Sequence, residues 1–301
     1  MISSLDSAAQ VFLRGMEQIQ QRSQRAQREL TTGLKINTVS DSPDQIASLW
    51  QTHSELAQTQ QIDTNLGRVK SEVDTAEKAL ESAVNLMDRA QTLGAQGASG
   101  TSSPQTRQDL ANELGAVLEQ MVSTANTSVG GRYIFSGDSD QQPPYSIDLT
   151  QATPISAYQG SAATREVQHP DGSQFAVSKT AQDIFDSANA EQNVFVNLNN
   201  LREGLLNNDQ TAITAAMGNL QSAGAYLNEQ LAFYGTVQNR VASGIDFSKN
   251  YETQLQTQLS GIEDADLSQS ITELQQAQTQ QQAALASRAK MPRTSLFDFL
   301  G

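Results

Sequence analysis

The chain contains no cysteine. Disulfides, thiolate metal sites and cysteine nucleophiles are therefore excluded. Aromatic residues make up 5% of its 301 positions, with a single Trp, and hydrophobic residues only 37%. That is thinner than one compact core of this length normally carries. Histidine occurs twice, as His53 and His169, which stand far apart and in no metal-ligand spacing. Basic residues are scarce too: 19 Lys+Arg face 33 Asp+Glu, for a net charge of −14. Such a surface repels nucleic acid and anionic membranes, so neither nucleic-acid binding nor membrane insertion is expected. No apolar run approaches the ~18 residues of a membrane span. The opening MISSLDSAAQ lacks the basic start and apolar stretch of a cleaved signal peptide. Export, where it occurs, is expected by a route that cleaves nothing.

What fills the space is Gln, Ser, Thr and Ala, arranged with strong periodicity. Leu5, Ala9, Phe12, Met16, Ile19, Ser23, Ala26 and Leu30 alternate steps of four and three, the seam of a coiled-coil helix. The stretch GLKINTVSDSPDQIA then punctuates the chain. Gly33 can end a helix in the left-handed conformation. Ser42, Pro43 and Gln45 supply an N-cap, a first-turn proline and a capping-box partner. A second helix is expected from about 44 to about 93, with Ile62, Leu66, Val69, Val73, Ala76, Leu80, Ala83 and Met87 on its seam. GAQGASGTSS breaks it, and Ser103-Pro104 opens a third helix that Gly130-Gly131 closes. Helix resumes near 190, with a seam running through Leu227, Leu231, Tyr234 and Val241 to Ile262. The last seam is Leu267, Ile271, Leu274, Gln278, Gln281 and Leu285. Ser248, Glu252, Gln278 and Gln281 occupy apolar slots, which weakens these seams and helps fix register.

Residues 132–180 read differently. They hold most of the prolines and several β-like runs, YIF, YSIDL, ISAY and a hairpin around Pro170-Asp171-Gly172. The fold class is therefore mainly α with a small β-rich insertion: an elongated hairpin-like rod of coiled-coil helices whose N- and C-terminal segments pair. The expected domains are 1–43 with 264–301, 44–135 with 187–263, and 136–186. The insertion contributes few seam positions and is expected to be dispensable.

Catalytic chemistry finds no support. GDSDQQPPY starts like a calcium loop but lacks the glycine and closing Glu of an EF-hand, so Asp138 and Asp140 read as turn formers. Asn126 matches a glycosylation acceptor inside a predicted helix. GTVQNRVASG has neither the Gly-rich loop nor the Lys of a phosphate cradle. No enzyme, metal or cofactor is expected. Leu296, Phe297, Phe299 and Leu300 stand on an otherwise polar tail, either folded back on their own chain or docked on a neighbour. The Gln- and Ser-rich terminal seams suit segments that order only on assembly.

At both ends the sequence resembles the flagellin family. That family ends its first helix in S-S-G-L-R-I-N followed by an acidic stretch, and Gly33, Leu34, Ile36, Asn37 and Asp41 fall on matching positions with Lys35 for the Arg. GIEDAD is similar to its R-I-x-D-A-D motif through Ile262, Asp264, Ala265 and Asp266, with Gly261 for the Arg. YGTVQNRV is similar to its G-A-x-Q-N-R-L segment through Gly235, Gln238, Asn239 and Arg240. GGRYIFSGD and the SLFDFLG ending resemble the branch that joins hook to filament, while SRAKMPRTSL departs from the flagellin ending. The resemblance implies a structural subunit exported unfolded through the flagellar type III route, held before export by a chaperone, and acting outside the cell. It implies a ring of about eleven copies between the type 1 hook-associated protein and the filament, templating flagellin polymerisation below the cap protein. Filament flagellin itself is the alternative; a secreted adhesin or effector binding through the insertion comes third. For that third reading Tyr133, Phe135, Tyr145, Tyr158 and Phe175 are too scattered in sequence to decide. The expected assembly surface is Leu5, Phe12, Met16, Ile19, Leu30, Leu267, Ile271, Leu274, Leu285, Leu296, Phe297, Phe299 and Leu300, and the domain joint Gly33, Ile36, Asn37, Asp41, Ser42 and Pro43.

Overall fold

The computed structural model describes residues 7–151 and 153–290. Helices α1 (Ser7–Thr32), α2 (Ile46–Ala98) and α3 (Pro104–Ala125) come first. Strands β1 (Ser128–Val129), β2 (Arg132–Tyr133), β3 (Glu166–Gln168) and β4 (Gln174–Ala176) follow. The chain closes with α4 (Ala181–Phe185), α5 (Val194–Leu206), α6 (Gln210–Glu263) and α7 (Leu267–Ala289). Two compact units result, one of residues 1–58 with 252–301 and one of 59–251. These divisions fall inside α2 and α6, whereas the sequence suggested boundaries at 43 and 263.

The 59–251 unit is built on heptads. Leu66, Val73, Leu80 and Met87 of α2 are buried at steps of seven, as are Ile213, Leu220, Leu227, Tyr234 and Val241 of α6. Leu110, Leu114, Leu118 and Met121 of α3 and Leu198, Leu201 and Leu205 of α5 complete the helical core. Each such side chain contributes about 1.5–3 kcal/mol on burial. The second helix does not stop at Leu93, as its glycines suggested, but continues to Ala98. Those glycines are there for close approach. A Cβ on Gly94 would fall 2.2 Å from Met217 Sδ, and one on Gly97 2.2 Å from Leu205 Cδ2. Gly97→Val should cost about 1–3 kcal/mol by overpacking, read as a lower denaturant midpoint. An unchanged midpoint would show that α5 yields freely there.

Punctuation after α2 follows the sequence in part. Ser103 caps α3 by accepting the Thr106 N–H at 3.1 Å, with Pro104 in the first turn. Arg107, buried on α3, donates from Nε to the Gly97 carbonyl at 2.8 Å and from its guanidinium to Gln210 Oε1 at 2.6 Å. It thereby satisfies one of the orphan carbonyls that end α2. Gly130-Gly131 does not terminate α3, which ends at Ala125 under an Asn126 cap. The two glycines, at φ 60° and 81°, form instead the tight turn between β1 and β2. Asn126 lies at this cap, not within the helix, and its side-chain amide bonds both the N–H and the carbonyl of Tyr145.

The β3–β4 hairpin forms as expected, with Gly172 at φ 89° in its turn. YSIDL and ISAY form no strands and pair through the isolated Ile147–Ile155 bridge, and of YIF only Tyr133 is in a strand. Helix resumes at Val194 under an Asn193 cap, after the short α4 with its Thr180–Asp183 capping box. The middle region is no appendage. Phe135 is fully buried with ring centroids 6.2 Å from both Phe185 and Tyr234, and Tyr145 lies 5.6 Å from Tyr158 and 5.0 Å from Phe195. Burial pushes the Tyr145 and Tyr234 hydroxyls well above the ordinary tyrosine range, so both stay protonated. The expectation of dispensability fails because these aromatics form one core with α2, α3, α5 and α6. Being core, the rings of Phe135, Tyr145 and Phe175 offer no face to a ligand.

Candidate assembly site

In the unit of residues 1–58 and 252–301 the first and last described helices meet. Its largest element is the pair α1–α7. The helices run antiparallel: the Arg288 guanidinium near the end of α7 lies 5.7 Å from the Phe12 ring near the start of α1, while Ser270 Oγ donates to Glu29 Oε2 at 2.7 Å. Along α1 the expected seam is the packed one. Ala26 is fully buried, and Phe12, Met16, Ile19, Ser23 and Leu30 are half-buried or better. Glu29, almost buried, is held by Arg25 Nε at 2.9 Å as well as by Ser270. Sequence reasoning passed over this residue, because a Glu one step from the seam reads as solvated.

Along α7 the packed stripe differs from the one expected. Buried Ser270 and Ala277, with half-buried Leu274, Gln281 and Ala284, are the positions that pack. Leu267, Ile271 and Leu285 are about half exposed, at 49%, 48% and 53%. The deepest positions of α7 carry small side chains, and the bulkier stripe faces outward. Val11 and Leu13 on α1 are exposed as well, and they were missed because they lie off the seam. Among the described residues Leu267, Ile271 and Leu285 thus stand exposed along α7, and Val11 and Leu13 are exposed on α1. Leu5, Leu296, Phe297, Phe299 and Leu300 lie outside the described residues.

The stretch expected to be a domain joint lies inside this unit, where it brings the two terminal motifs together. Gly33 takes φ 74° and donates its N–H to the Glu29 carbonyl at 2.8 Å, ending α1 as its sequence suggested. Its own carbonyl accepts from Ala265 N at 2.8 Å, and Lys35 N donates to the Glu263 carbonyl at 2.7 Å. Leu34 and Asp264 form a bridge, so GLKIN and IEDAD pair as a short antiparallel clasp. Ile36 is buried with Leu49 and Leu259 around it. Asn37 Nδ2 donates to the Leu34 carbonyl at 2.7 Å, and Asp266 caps α7 through the N–H groups of Ser268 and Gln269. A Gly33→Val change should strain the left-handed residue by about 1–2 kcal/mol. Faster hydrogen exchange at the Ala265 and Lys35 amides would report it; unchanged protection would show that the clasp does not depend on Gly33.

Asp41 folds the intervening loop back. Its Oδ2 accepts the N–H groups of Thr38 at 2.7 Å and Asn37 at 2.9 Å, and these bonds hold its carboxyl below the usual range. A lowered folded value gives stability that is present above the unfolded value of about 3.9 and lost as pH falls through the folded one. The loop should therefore loosen only below about pH 4, seen as loss of amide protection at Asn37 and Thr38. Loosening already at about pH 6 would point to another group. Ser42 and Pro43 do not open the helix as expected. The Ser42 hydroxyl donates to Asp44 at 2.9 Å, its carbonyl accepts the Gln45 N–H in a turn, and α2 begins at Ile46. The carboxylate next door outcompetes the cap.

No helix among the described residues is long and apolar enough to cross a membrane. His53 sits at the surface 3.2 Å from Glu263, and His169 Nδ1 lies 3.0 Å from Asp171. Asp140 is held by Arg132 within the β1–β2 region.

Two models of one family match the chain: the bacterial flagellin N-terminal helical region over residues 3–140 and the C-terminal helical region over 211–300. Flagellar hook-associated protein 3 of Escherichia coli is 27% identical over 58% of this chain and 54% of its own length. Flagellin B of Helicobacter pylori is 27% identical over 47% of this chain, which spans 27% of that relative's length. A flagellin of Halalkalibacterium halodurans is 23% identical over 89% of this chain and 87% of its own. The fold recurs in solved structures. Flagellar hook associated protein-3 from Legionella pneumophila aligns over 72% of this chain and 99% of its own with TM-score 0.61 at 15% identity. FlgL from Xanthomonas campestris aligns over 68% and 98% with TM-score 0.57 at 19% identity. Matched at both ends by the two helical regions that meet in its own clasp, the chain belongs to the bacterial flagellin family, whose members are structural subunits of the flagellum and not enzymes.

Proposed function

We propose that this chain is the subunit of a ring joining hook to filament, on which flagellin begins to polymerise. The observation that carries the reading is the α1–α7 pair. It leaves Leu267, Ile271 and Leu285 exposed along α7, a stripe suited to burial between subunits, with Val11 and Leu13 exposed on α1. The relative named hook-associated protein 3 supports the junction position, and GGRYIFSGD is the stretch that favours it over the filament. On this reading the neighbours are further copies of itself, about eleven to a ring. The type 1 hook-associated protein lies on one side, flagellin and the cap protein on the other. Before export an export chaperone covers the same apolar stripe.

Immunogold labelling of flagella with antibody to the purified chain tests this. Label confined to the hook end is the expected result. Label along the whole filament would favour flagellin itself, the reading that the long match to the Halalkalibacterium halodurans relative supports.

A further inference from the structure

Charge in the 1–58/252–301 unit is sorted by segment. Residues 7–35 carry Arg14, Arg22, Arg25, Arg28 and Lys35 against Glu17 and Glu29. Residues 252–273 carry Glu252, Glu263, Asp264, Asp266 and Glu273 and no basic residue, in a chain whose net charge is −14. The cationic side gathers at the end of α1, where exposed Arg22, Arg25 and Arg28 line an open cleft against Ser40 and Asp41. Part of this charge is used within the unit: Lys35 Nζ donates to the Gly261 carbonyl at 3.0 Å, Asp264 and Glu273 accept from Ser260 and Gln269, Asp266 caps α7, and Arg28 acts on the Asp41 carboxyl. Arg25 pairs with Glu29 and Glu263 meets His53. Among the described residues Arg22 and Arg28 make no ion pair, and neither do Glu252, Asp264, Asp266 or Glu273.

Two unlike, complementary faces on one subunit are what a head-to-tail contact requires. Contacts of that kind close into rings when the rotation closes, whereas a two-fold contact brings a face onto itself. The basic face of α1 set against itself would repel, and so would the acidic stretch. We propose that the Arg22–Arg25–Arg28 face of one copy docks on the Glu252–Glu273 stretch of the next. The contact sets which way round copies meet, which the non-directional apolar stripe cannot do. The pairing deepens the ring-subunit reading and rests on it. Exposed charges are screened beyond about 8–10 Å at physiological salt, so the contact acts at short range and weakens in high salt.

The absence of cysteine makes the test clean, since any disulfide reports only introduced residues. In a strain lacking the gene, the double variant Gln21→Cys/Gln269→Cys should give, on oxidation of isolated flagella, a ladder of multimers beyond the dimer. Each single variant should stay monomeric. A dimer from Gln21→Cys alone, or no ladder from the double variant, overturns the proposal. Charge reversal supplies the second arm. Arg22→Glu/Arg28→Glu should lower the amount of this chain in flagella at least tenfold. Adding Glu252→Lys/Glu273→Lys should restore it, while the purified variants melt as the parent does. Loss without restoration, in variants that melt normally, counts against the contact. A ladder found in the filament fraction and not at the hook end defeats the junction reading and leaves the contact standing. Label at the hook end without a ladder defeats the contact alone.

Discussion

Replacing Phe135 by Ala should lower the stability of the 59–251 unit by about 3–5 kcal/mol, the usual cost of truncating a buried Phe. Its ring is fully enclosed and meets Phe185 and Tyr234 edge-to-face, so both transfer and aromatic contributions disappear together. The Ala181 N–H donates to the Phe135 carbonyl at 2.7 Å, and the Tyr158 hydroxyl to the same oxygen at 3.0 Å. The cavity thus opens where the β-rich stretch is tied to α4, and collapse is restrained. Denaturant unfolding of the purified chain, followed by near-ultraviolet circular dichroism, measures it. A loss under about 1 kcal/mol would mean that the middle region is a separable module. By the same physics, excising 140–180 behind a Gly/Ser bridge removes Tyr145, Phe175 and Val177 and should unfold this unit.

The second large effect is expected from Ala26→Asp. Ala26 is fully buried in the α1–α7 pair, three residues before Glu29, which already holds a carboxylate there with its hydrogen bonds spent on Arg25 and Ser270. A second carboxylate finds no partner, and the effective penalty for a buried unpaired charge is several kcal/mol. On α7 the packed positions are largely small or polar, Ser270, Ala277, Gln281 and Ala284 beside Leu274, which leaves little apolar area to offset that loss. Hydrogen exchange should show α1 and α7 unprotected while the 59–251 core keeps its protection. Cells carrying the variant should make hooks without filaments. Retained protection in α1 and α7 would mean that the pair tolerates separation of its axes. Ala26→Ser, which adds only a hydroxyl, should behave nearly as the parent.

Much of this was legible in the sequence, because its signals are local and periodic. The α1 seam from Phe12 to Leu30, the Ser103-Pro104 start, the left-handed Gly33 and the Pro-Asp-Gly hairpin each follow from a few neighbouring residues. What escaped depends on partners distant in sequence or on competition between neighbours. Gly94 and Gly97 read as breakers until Met217 and Leu205 are seen against them. Ser42 reads as a cap until Asp44 takes its hydroxyl. The seam of α7 was placed on Leu267, Ile271, Leu274, Gln278, Gln281 and Leu285; Leu274 and Gln281 pack, yet the deepest positions are Ser270 and Ala277. The 33–43 stretch lies inside the 1–58/252–301 unit and not at a boundary between units, yet its residues are structured as a group. Gly33, Ile36, Asn37 and Asp41 were singled out together, and each plays a distinct part there. Gly33 turns the chain, Ile36 packs, Asn37 bridges to Leu34, and Asp41 closes the loop. That GLKIN would pair with IEDAD, far along the chain, no spacing rule could disclose.

Electron microscopy of cells lacking the gene for this chain tests the central claim most directly. The account predicts complete hooks that carry no filament, with flagellin released into the medium, and filaments restored when the intact chain is supplied. Filaments of ordinary length on the hooks of such cells would contradict it.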